Sequence, residues 1–240
     1  MTSASVGFQC PDCIAAGART TRAPRTVAGG SIAATQGRVT LVILGLIIAT
    51  FVLQFAVPGF ENRFTQDNLA VAHGQWWRLL TAMFLHVSVL HIAFNLYVLY
   101  LVGPAVEAAL GRWRYVALYL LSGLGGAAAS YALTSPISAA EGASGAIFGL
   151  FAAWWVITRR AGGDARPVTI LIGLNLVFSF VVPHIGYWAH IGGLVTGALL
   201  TLVFSYAPRR QRTPAAFGAV VLVAAVIVVT VLARTAALTG

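Results

Sequence analysis

The sequence predicts an all-α membrane protein with seven transmembrane helices. The chain has 240 residues, of which 59% are hydrophobic and 9% are charged, and its mean hydropathy is +0.86. Soluble domains carry about 25% charged residues, so this composition is typical of a polytopic membrane protein. The second observation is that charge-free apolar stretches recur along the chain, each near the length of about 20 residues that a helix needs to cross a bilayer.

Seven such stretches are predicted to span the membrane. They are residues 39–60, 88–106, 115–133, 144–158, 168–182, 187–206 and 215–233. The fifth and sixth are separated by Pro183-His184-Ile185-Gly186, because proline and glycine end a helix and turn the chain. The fourth and fifth are the shortest of the seven.

The connection between the first two spans, residues 58–85, is predicted to lie in the membrane interface. It mixes charged residues with the pair Trp76-Trp77. Indole rings favour the depth of the lipid headgroups, so we expect both tryptophans there.

Residues 1–38 are predicted to form a mobile cytoplasmic tail. They are polar and lack sustained apolar periodicity, and Met1–Val6 lacks the charged start and apolar core of a cleavable signal peptide. Cys10-Pro11-Asp12-Cys13 is half of a zinc ribbon, whereas a structural zinc needs four ligands. We therefore expect no metal within one chain; a remnant of a lost domain or a site shared between two chains is favoured.

Arginine positions predict the orientation. All 15 basic residues are arginine and the formal charge is +9, but they lie between apolar stretches and not in one patch, which argues against nucleic-acid binding. With the tail in the cytoplasm, twelve arginines face inward and three face outward, in agreement with the positive-inside rule. The inner set is Arg19, Arg22, Arg25, Arg38, Arg112, Arg114, Arg159, Arg160, Arg166, Arg209, Arg210 and Arg212; the outer set is Arg63, Arg78 and Arg234. We expect a multi-pass protein of the plasma membrane.

The fourth span predicts a pocket at its beginning. Residues 144–158 cover about 22 Å against a hydrocarbon core of about 30 Å. If Arg159 and Arg160 lie at the inner interface, Ser144 lies about 8 Å below the outer edge of the hydrocarbon. Irregular backbone survives at that depth only where it is buried or lines a wet cavity, so the loop 135–143 predicts a water-accessible pocket.

Ser144 and His190 are the candidate catalytic pair. Both open an apolar helix on the outer side, and neutral histidine is the side chain that can take a proton from a serine hydroxyl near neutral pH. Their approach requires close helix packing, which small residues permit. The candidates for that packing are Gly145, Gly149, Gly192, Gly193 and Gly197.

Three donors are candidates for an oxyanion hole. The backbone amide of Ser144 lies at a helix start, where amides are free to bind an anion. His91 and Asn95 lie four residues apart on one helical face, and both can donate hydrogen bonds. His86 and His91, five residues apart, are poorly spaced for a shared metal ion.

The ordered set of motifs resembles the rhomboid family of intramembrane serine proteases. The motifs run from about residue 77 to about residue 197 and are Trp77-Arg78, His86 with His91 and Asn95, Glu107-Ala108-Ala109-Leu110-Gly111, Gly142-Ala143-Ser144-Gly145 and Ala189-His190-Ile191-Gly192-Gly193. The resemblance implies a six-helix bundle, here residues 39–206, with residues 207–240 adding a loop and a seventh helix. The segment from Val6 to Cys13 also resembles the end of a zinc-binding module that precedes some bacterial rhomboids.

The resemblance implies a function as well as a fold. It implies a serine endopeptidase that cuts other membrane proteins in or near their transmembrane segments, in contact with lipid and without metal, nucleotide or nucleic acid. By position, Ser144 is the nucleophile, His190 the base, and His91, Asn95 and the Ser144 amide the oxyanion hole. His86 and Arg78 support the first loop, and Gly142 and Gly145 flank the nucleophile.

Two positions are interpreted separately from the dyad. Phe148 stands where better-studied bacterial relatives have a tyrosine near the histidine, so it can stack but cannot donate a hydrogen bond. Glu107 lies beside Arg112 and Arg114 and is expected to be a structural ion partner and not an acid catalyst.

Two other classes of protein remain open from the residues alone. A binding or quality-control protein can keep a fold after its chemistry is lost. A small-solute transporter can use a polar cavity, although no inverted repeat of spans is visible in the sequence.

Overall fold

The computed structural model describes residues 2–3, 8–20, 37–182 and 185–240. Pro183 and His184 of the predicted turn lie outside these ranges, as do residues 1, 4–7 and 21–36 of the predicted tail. In chain order the elements are β1 (Thr2–Ser3), β2 (Phe8–Gln9), α1 (Pro11–Thr20), α2 (Arg38–Ala56), α3 (Phe60–Phe64), β3 (Gln66–Asp67), α4 (Asn68–Ala72), α5 (Arg78–Thr81), a 3-10 turn (Ala82–Phe84), α6 (Val89–Leu110), α7 (Arg112–Leu133), β4 (Ala139–Ala140), α8 (Ser144–Arg160), α9 (Arg166–Val181), α10 (Tyr187–Tyr206) and α11 (Arg212–Thr239).

The protein is an all-α membrane protein, as the sequence predicts. Seven long helices, α2 and α6 to α11, follow the seven predicted spans in order. Five of them, α2, α6, α7, α10 and α11, are long and apolar enough to cross a membrane. The other two, α8 with 17 residues and α9 with 16, are the spans predicted to be shortest. The helix ends differ from the predicted ones by a few residues, most at α11, which continues to Thr239.

The centre of the bundle is formed by α7, α8 and α10, which pack more extensively against one another than any other helices do. A methyl group on Gly192 would lie 2.6 Å from the Gly125 carbonyl oxygen of α7. On the other side of α10, methyl groups on Gly193 and Gly197 would overlap the backbone of α8. The predicted small-residue faces are therefore confirmed, and they allow three helix backbones to approach closely.

The first connection is more ordered than the predicted interfacial loop. It contains three short helices and a 3-10 turn, and β3 pairs with β4 in an antiparallel ladder. The Asp67 side chain accepts a hydrogen bond from Ala70 N at 2.8 Å and so caps α4. Trp76 and Trp77 are each 50% exposed. The sequence did not predict this ladder, because strands of two residues are too short to show alternation of apolar and polar residues.

The N-terminus of α2 is capped by another helix. Gly37, the residue before α2, offers no capping side chain, and Glu107 of α6 takes that role from a fully buried position. Its carboxylate accepts hydrogen bonds from Val39 N at 3.1 Å and Thr40 N at 2.9 Å. Both carboxylate oxygens thus bind the start of α2. The sequence predicted an arginine as the partner of Glu107 and did not predict this contact.

The last helix, α11, packs against α7, α10 and α4. Arg234 Nη2 donates a hydrogen bond to the Thr134 carbonyl oxygen at 3.0 Å, and Thr235 Oγ1 lies 2.9 Å from Tyr131 Oη. Thr134 is also 3.0 Å from Asn68 Nδ2 of α4. The end of α11 is therefore tied to the start of the loop that leads to Ser144.

The N-terminal segment contains a helix that was not predicted. Residues 11–20 form α1, with Cys10 and Cys13 at its start, and the two sulfur atoms lie 2.7 Å apart. Within the described part of the chain, no group of three or more His, Cys, Asp or Glu residues is placed to hold a metal ion. The exposed Cys13 side chain is compatible with a ligand shared with a second chain, which stays a prediction.

Candidate active site

Ser144 is the first residue of α8 and follows the buried Ala143. Its Oγ lies 2.7 Å from His190 Nε2, within hydrogen-bonding distance. The structure thus brings together the two residues singled out in the sequence, which are separated by 46 positions. The amides of the first turn of α8 have no carbonyl partner within the helix, so they are available to a developing negative charge.

His190 is held on two sides. It lies in the first turn of α10 and is buried. The Phe148 ring stacks on the imidazole with a centroid distance of 4.3 Å and an interplanar angle of 12°. The second ring nitrogen, Nδ1, lies 2.6 Å from Ser179 Oγ. Phe148 therefore sets the plane of the ring, and Ser179 contacts the edge away from Ser144.

Ser179 is the site residue that sequence reasoning missed. It lies on α9 and is only 3% exposed, and the sequence around it is uniformly apolar apart from Asn175 one turn earlier. Small polar residues in membrane helices most often bind their own backbone or a neighbouring helix. The available signal was the pair Asn175 and Ser179 on one helical face, but it does not identify a partner.

His91 lies close to Ser144, with Gly142 between them. Gly142 has a φ of +130°, and a Cβ built there would lie 2.7 Å from His91 Cε1, 2.9 Å from His91 Nε2 and 3.8 Å from Ser144 Oγ. The imidazole of His91 therefore packs directly on the backbone just before the nucleophile candidate. A glycine is needed at this position both for its φ angle and for the close approach of the ring.

Asn95 lies one helical turn below His91 on α6 and is buried. Its Nδ2 donates a hydrogen bond to the His91 carbonyl oxygen at 2.8 Å. This contact uses one of the two amide hydrogens of the side chain. Asn95 and His91 thus share the face of α6 that the spacing predicted.

His86 contacts both Ala143, the residue before Ser144, and the ring of His91. Its Nε2 accepts from Ala143 N at 3.5 Å, its ring meets the His91 ring edge to face at 4.9 Å, and its backbone amide donates to Gln54 of α2 at 3.0 Å. Burial, followed by the nearby His91, lowers the pKa of His86 to about 4. His86 is therefore neutral at physiological pH and able to accept this hydrogen bond.

Arg78 organises the first connection. Its Nη1 donates to the Thr65 carbonyl oxygen at 2.8 Å and the Asn62 carbonyl oxygen at 2.9 Å, and its Nε donates to Gln75 at 2.7 Å. These contacts join α5 to the segment before β3. Arg78 and Glu107 both lie outside the immediate surroundings of Ser144 and hold neighbouring elements together.

A cavity of about 380 Å³ opens beside Ser144. Its wall includes the loop 138–142, the start of α10 and the side chains of Met83 and Gln66. Glu141, on this wall, accepts a hydrogen bond from Thr65 Oγ1 at 2.7 Å. Burial raises the pKa of Glu141, a shift that the Thr65 hydrogen bond opposes. The cavity lies where the sequence predicted a pocket next to the loop 135–143.

Comparison with known proteins gives the family. Residues 73–207 match the family model of the Rhomboid domain. The rhomboid protease GluP of Bacillus subtilis is 37% identical over 172 residues, which cover 66% of this chain and 33% of GluP. The putative rhomboid protease YdcA of the same organism is 35% identical over 162 residues, 63% of this chain and 81% of YdcA.

A third relative is matched over a longer segment. The rhomboid protease AarA of Providencia stuartii is 30% identical over 219 residues, which cover 76% of either chain. The chain therefore spans about a third of the length of GluP but most of AarA. Because the Rhomboid domain covers residues 73–207, more than half of the 240 residues, this chain belongs to the rhomboid family of intramembrane serine proteases.

Proposed function

We propose that this chain cleaves other membrane proteins within or beside their transmembrane segments, with Ser144 as nucleophile and His190 as general base. The observation that supports this most is the 2.7 Å contact between Ser144 Oγ and His190 Nε2, with Ser144 on the wall of a cavity. A nucleophile and base within hydrogen-bonding reach are the central requirement of serine hydrolysis.

The reaction follows from the positions of the two side chains. His190 Nε2 takes the proton of Ser144 Oγ while the oxygen attacks the carbonyl carbon of the substrate. The tetrahedral adduct then collapses, the C–N bond breaks, and His190 returns the proton to the leaving amine. Water next attacks the acyl carbon and gives a proton to His190. The ester C–O bond then breaks, His190 returns the proton to Ser144 Oγ, and the new carboxyl end is released.

Three donors are proposed to stabilise the oxyanion. The Ser144 amide lies at the start of α8, and His91 packs beside it across Gly142. Asn95 lies on the same face of α6, one turn deeper. Such donors are effective because they are already oriented when charge develops.

The active site is proposed to open toward the outer side of the plasma membrane, with the N-terminus in the cytoplasm. The excess of arginines in the opposite set of connections supports this orientation. The substrate is proposed to be a transmembrane helix that unwinds locally, since the peptide bonds of an intact helix are hydrogen-bonded and shielded. Lipid surrounds the apolar outer faces, and the steps above use side chains and water alone.

The test is cleavage of a fluorescent transmembrane substrate by the purified protein in liposomes. Ser144→Ala and His190→Ala are expected to abolish cleavage. Ser205→Ala is the matched control, because Ser205 is also a buried residue of α10 but lies 15 positions after His190. Cleavage that persists in Ser144→Ala at the wild-type rate would overturn the proposal.

A fluorophosphonate that labels activated serines provides the second measurement. Labelling at Ser144 is expected in wild type and is expected to be lost in His190→Ala. A binding protein or a transporter on this fold would leave Ser144 unlabelled, so the reagent separates a protease from both.

A further inference from the structure

Ser179 links His190 to the backbone of α9. Its Oγ lies 2.6 Å from His190 Nδ1 and 2.6 Å from the carbonyl oxygen of Asn175, one turn earlier on α9. The side chain is 3% exposed. A serine hydroxyl carries one hydrogen, whereas a carbonyl oxygen can only accept. The contact with Asn175 therefore uses the hydroxyl hydrogen, and the lone pairs of Oγ face His190.

This proton count favours one tautomer of the imidazole. If Ser179 Oγ accepts, the hydrogen between it and His190 belongs to Nδ1. A neutral imidazole carries only one N–H, so Nε2 then holds a lone pair. That lone pair faces Ser144 Oγ at 2.7 Å. This is the arrangement in which histidine can remove the serine proton.

The burial of Ser179 is unusual for its helix. Only two residues of α9 are buried, Val168 near its start and Ser179 near its end. Most neighbouring side chains on α9, including Val177, Phe178 and Phe180, are exposed and apolar. Few side chains of α9 are thus buried in the bundle, and the Ser179 hydroxyl is one of them, in contact with the imidazole of His190.

We propose that Ser179 is a positioning residue that holds His190 in the tautomer with hydrogen on Nδ1, so that Nε2 can act as the base toward Ser144. This inference rests on the proposed function and adds a third side chain to the pair. Phe148 restrains the plane of the imidazole by stacking, and Ser179 restrains its rotation within that plane. The hydroxyl is neutral, so it orients the ring without the charge that a carboxylate would add.

The first experiment measures the tautomer. Protein carrying 15N-labelled histidine is examined by NMR at a pH above the ordinary histidine pKa of about 6.5. The His190 signals are assigned with His190→Gln. Wild type is expected to be protonated at Nδ1, and Ser179→Ala is expected to show a mixture of tautomers. Protonation at Nε2 in wild type, or an unchanged tautomer in Ser179→Ala, would overturn the inference.

The second experiment measures cleavage in liposomes. Ser179→Ala is expected to lower kcat roughly 3- to 10-fold with little change in KM, the size expected for one neutral hydrogen bond. Ser179→Thr is expected to restore most of the rate, because threonine keeps the hydroxyl and can bind the carbonyl four residues back in a helix. Asn175→Ala is the matched control, since its side-chain Nδ2 donates to Leu171 O of the same helix at 2.8 Å.

The outcomes separate this inference from the proposed function. If Ser144→Ala still cleaves, the proposed function fails. If Ser144→Ala is inactive and Ser179→Ala retains the wild-type kcat, only the role of Ser179 fails. A loss in Ser179→Ala that Ser179→Thr does not restore, or an equal loss in Asn175→Ala, also contradicts it, because the effect would then come from packing of α9.

Discussion

Gly193 of α10 packs against the carbonyl oxygen of Gly145 of α8, with no room for a methyl group between them. Gly145 directly follows Ser144, and Gly193 lies three residues after His190. The contact therefore sits about one helical turn from the hydrogen bond between the two functional side chains. Close approach of the two backbones at this point brings a hydroxyl and an imidazole on different helices within 2.7 Å.

Gly193→Ala is expected to destabilise the protein and abolish cleavage. The added methyl group forces α8 and α10 apart, and overpacking of this kind costs about 1–3 kcal/mol. Thermal unfolding in detergent and cleavage in liposomes measure the two effects. The control is Gly218→Ala on α11, where nothing lies within 4 Å of the added Cβ. Equal behaviour of the two variants would contradict the packing argument.

Gly142→Ala is expected to reduce kcat while leaving the bundle folded. The new Cβ would press on the His91 ring and would occupy a φ of +130°. Loss of one oxyanion donor costs about 10²- to 10³-fold in rate, so we expect a decrease of roughly 10²-fold. Gly162→Ala controls for the backbone strain, since Gly162 has a φ of +76° with no atom within 4 Å. A comparable loss of kcat in Gly162→Ala would argue against a role for His91.

Glu107→Ala is expected to loosen the start of α2. The change leaves the amides of Val39 and Thr40 without the carboxylate, and an orphaned buried donor costs about 1–3 kcal/mol. Hydrogen exchange of the two amides and thermal unfolding are the measurements. Glu61→Ala, in the short helix α3, is the matched control. Unchanged exchange at Thr40 in Glu107→Ala would contradict the capping role.

Acid is expected to destabilise the fold through His86. Its pKa is lowered to about 4 in the folded protein from an ordinary value of 6.5. Above pH 6.5 both states are neutral at this residue. Between pH 6.5 and about 4 only the unfolded chain takes up the proton, so the free energy of unfolding falls as the pH falls. In His86→Gln this part of the pH dependence is expected to disappear; a variant with the wild-type slope would show that other groups cause it.

Arg234→Met is expected to weaken the attachment of α11 without preventing its insertion. The variant keeps the apolar stem but loses the hydrogen bond from Nη2 to Thr134 O at 3.0 Å. A hydrogen bond from a charged group contributes about 1.5–3 kcal/mol. Thermal unfolding is compared with Arg209→Met, in the connection before α11. If both variants unfold alike, the contact with Thr134 has no measurable strength.

Sequence patterns predicted the helices better than the contacts between them. Apolar stretches reveal spans because each must cross the same thickness of hydrocarbon. The glycines of α8 and α10 indicated where helices approach, and the order of motifs indicated Ser144 and His190. Ser179 and the cap that Glu107 gives to α2 were missed, because hydropathy and spacing record the surroundings of a side chain but not its partner. The ladder of β3 and β4 was missed because it joins residues 66–67 to residues 139–140, a distant pairing.

The position of α11 has a consequence for biogenesis. Chains are synthesised from the N-terminus, so Arg234 and Thr235 leave the ribosome after helices α2 to α10. Until then the segment beginning at Thr134 lacks one of its anchors. The nascent protein would thus pass through a stage in which Ser144 and His190 have both been made but the loop between α7 and α8 is still unsecured. We therefore expect the loop before Ser144 to reach its final position only after α11 has been made.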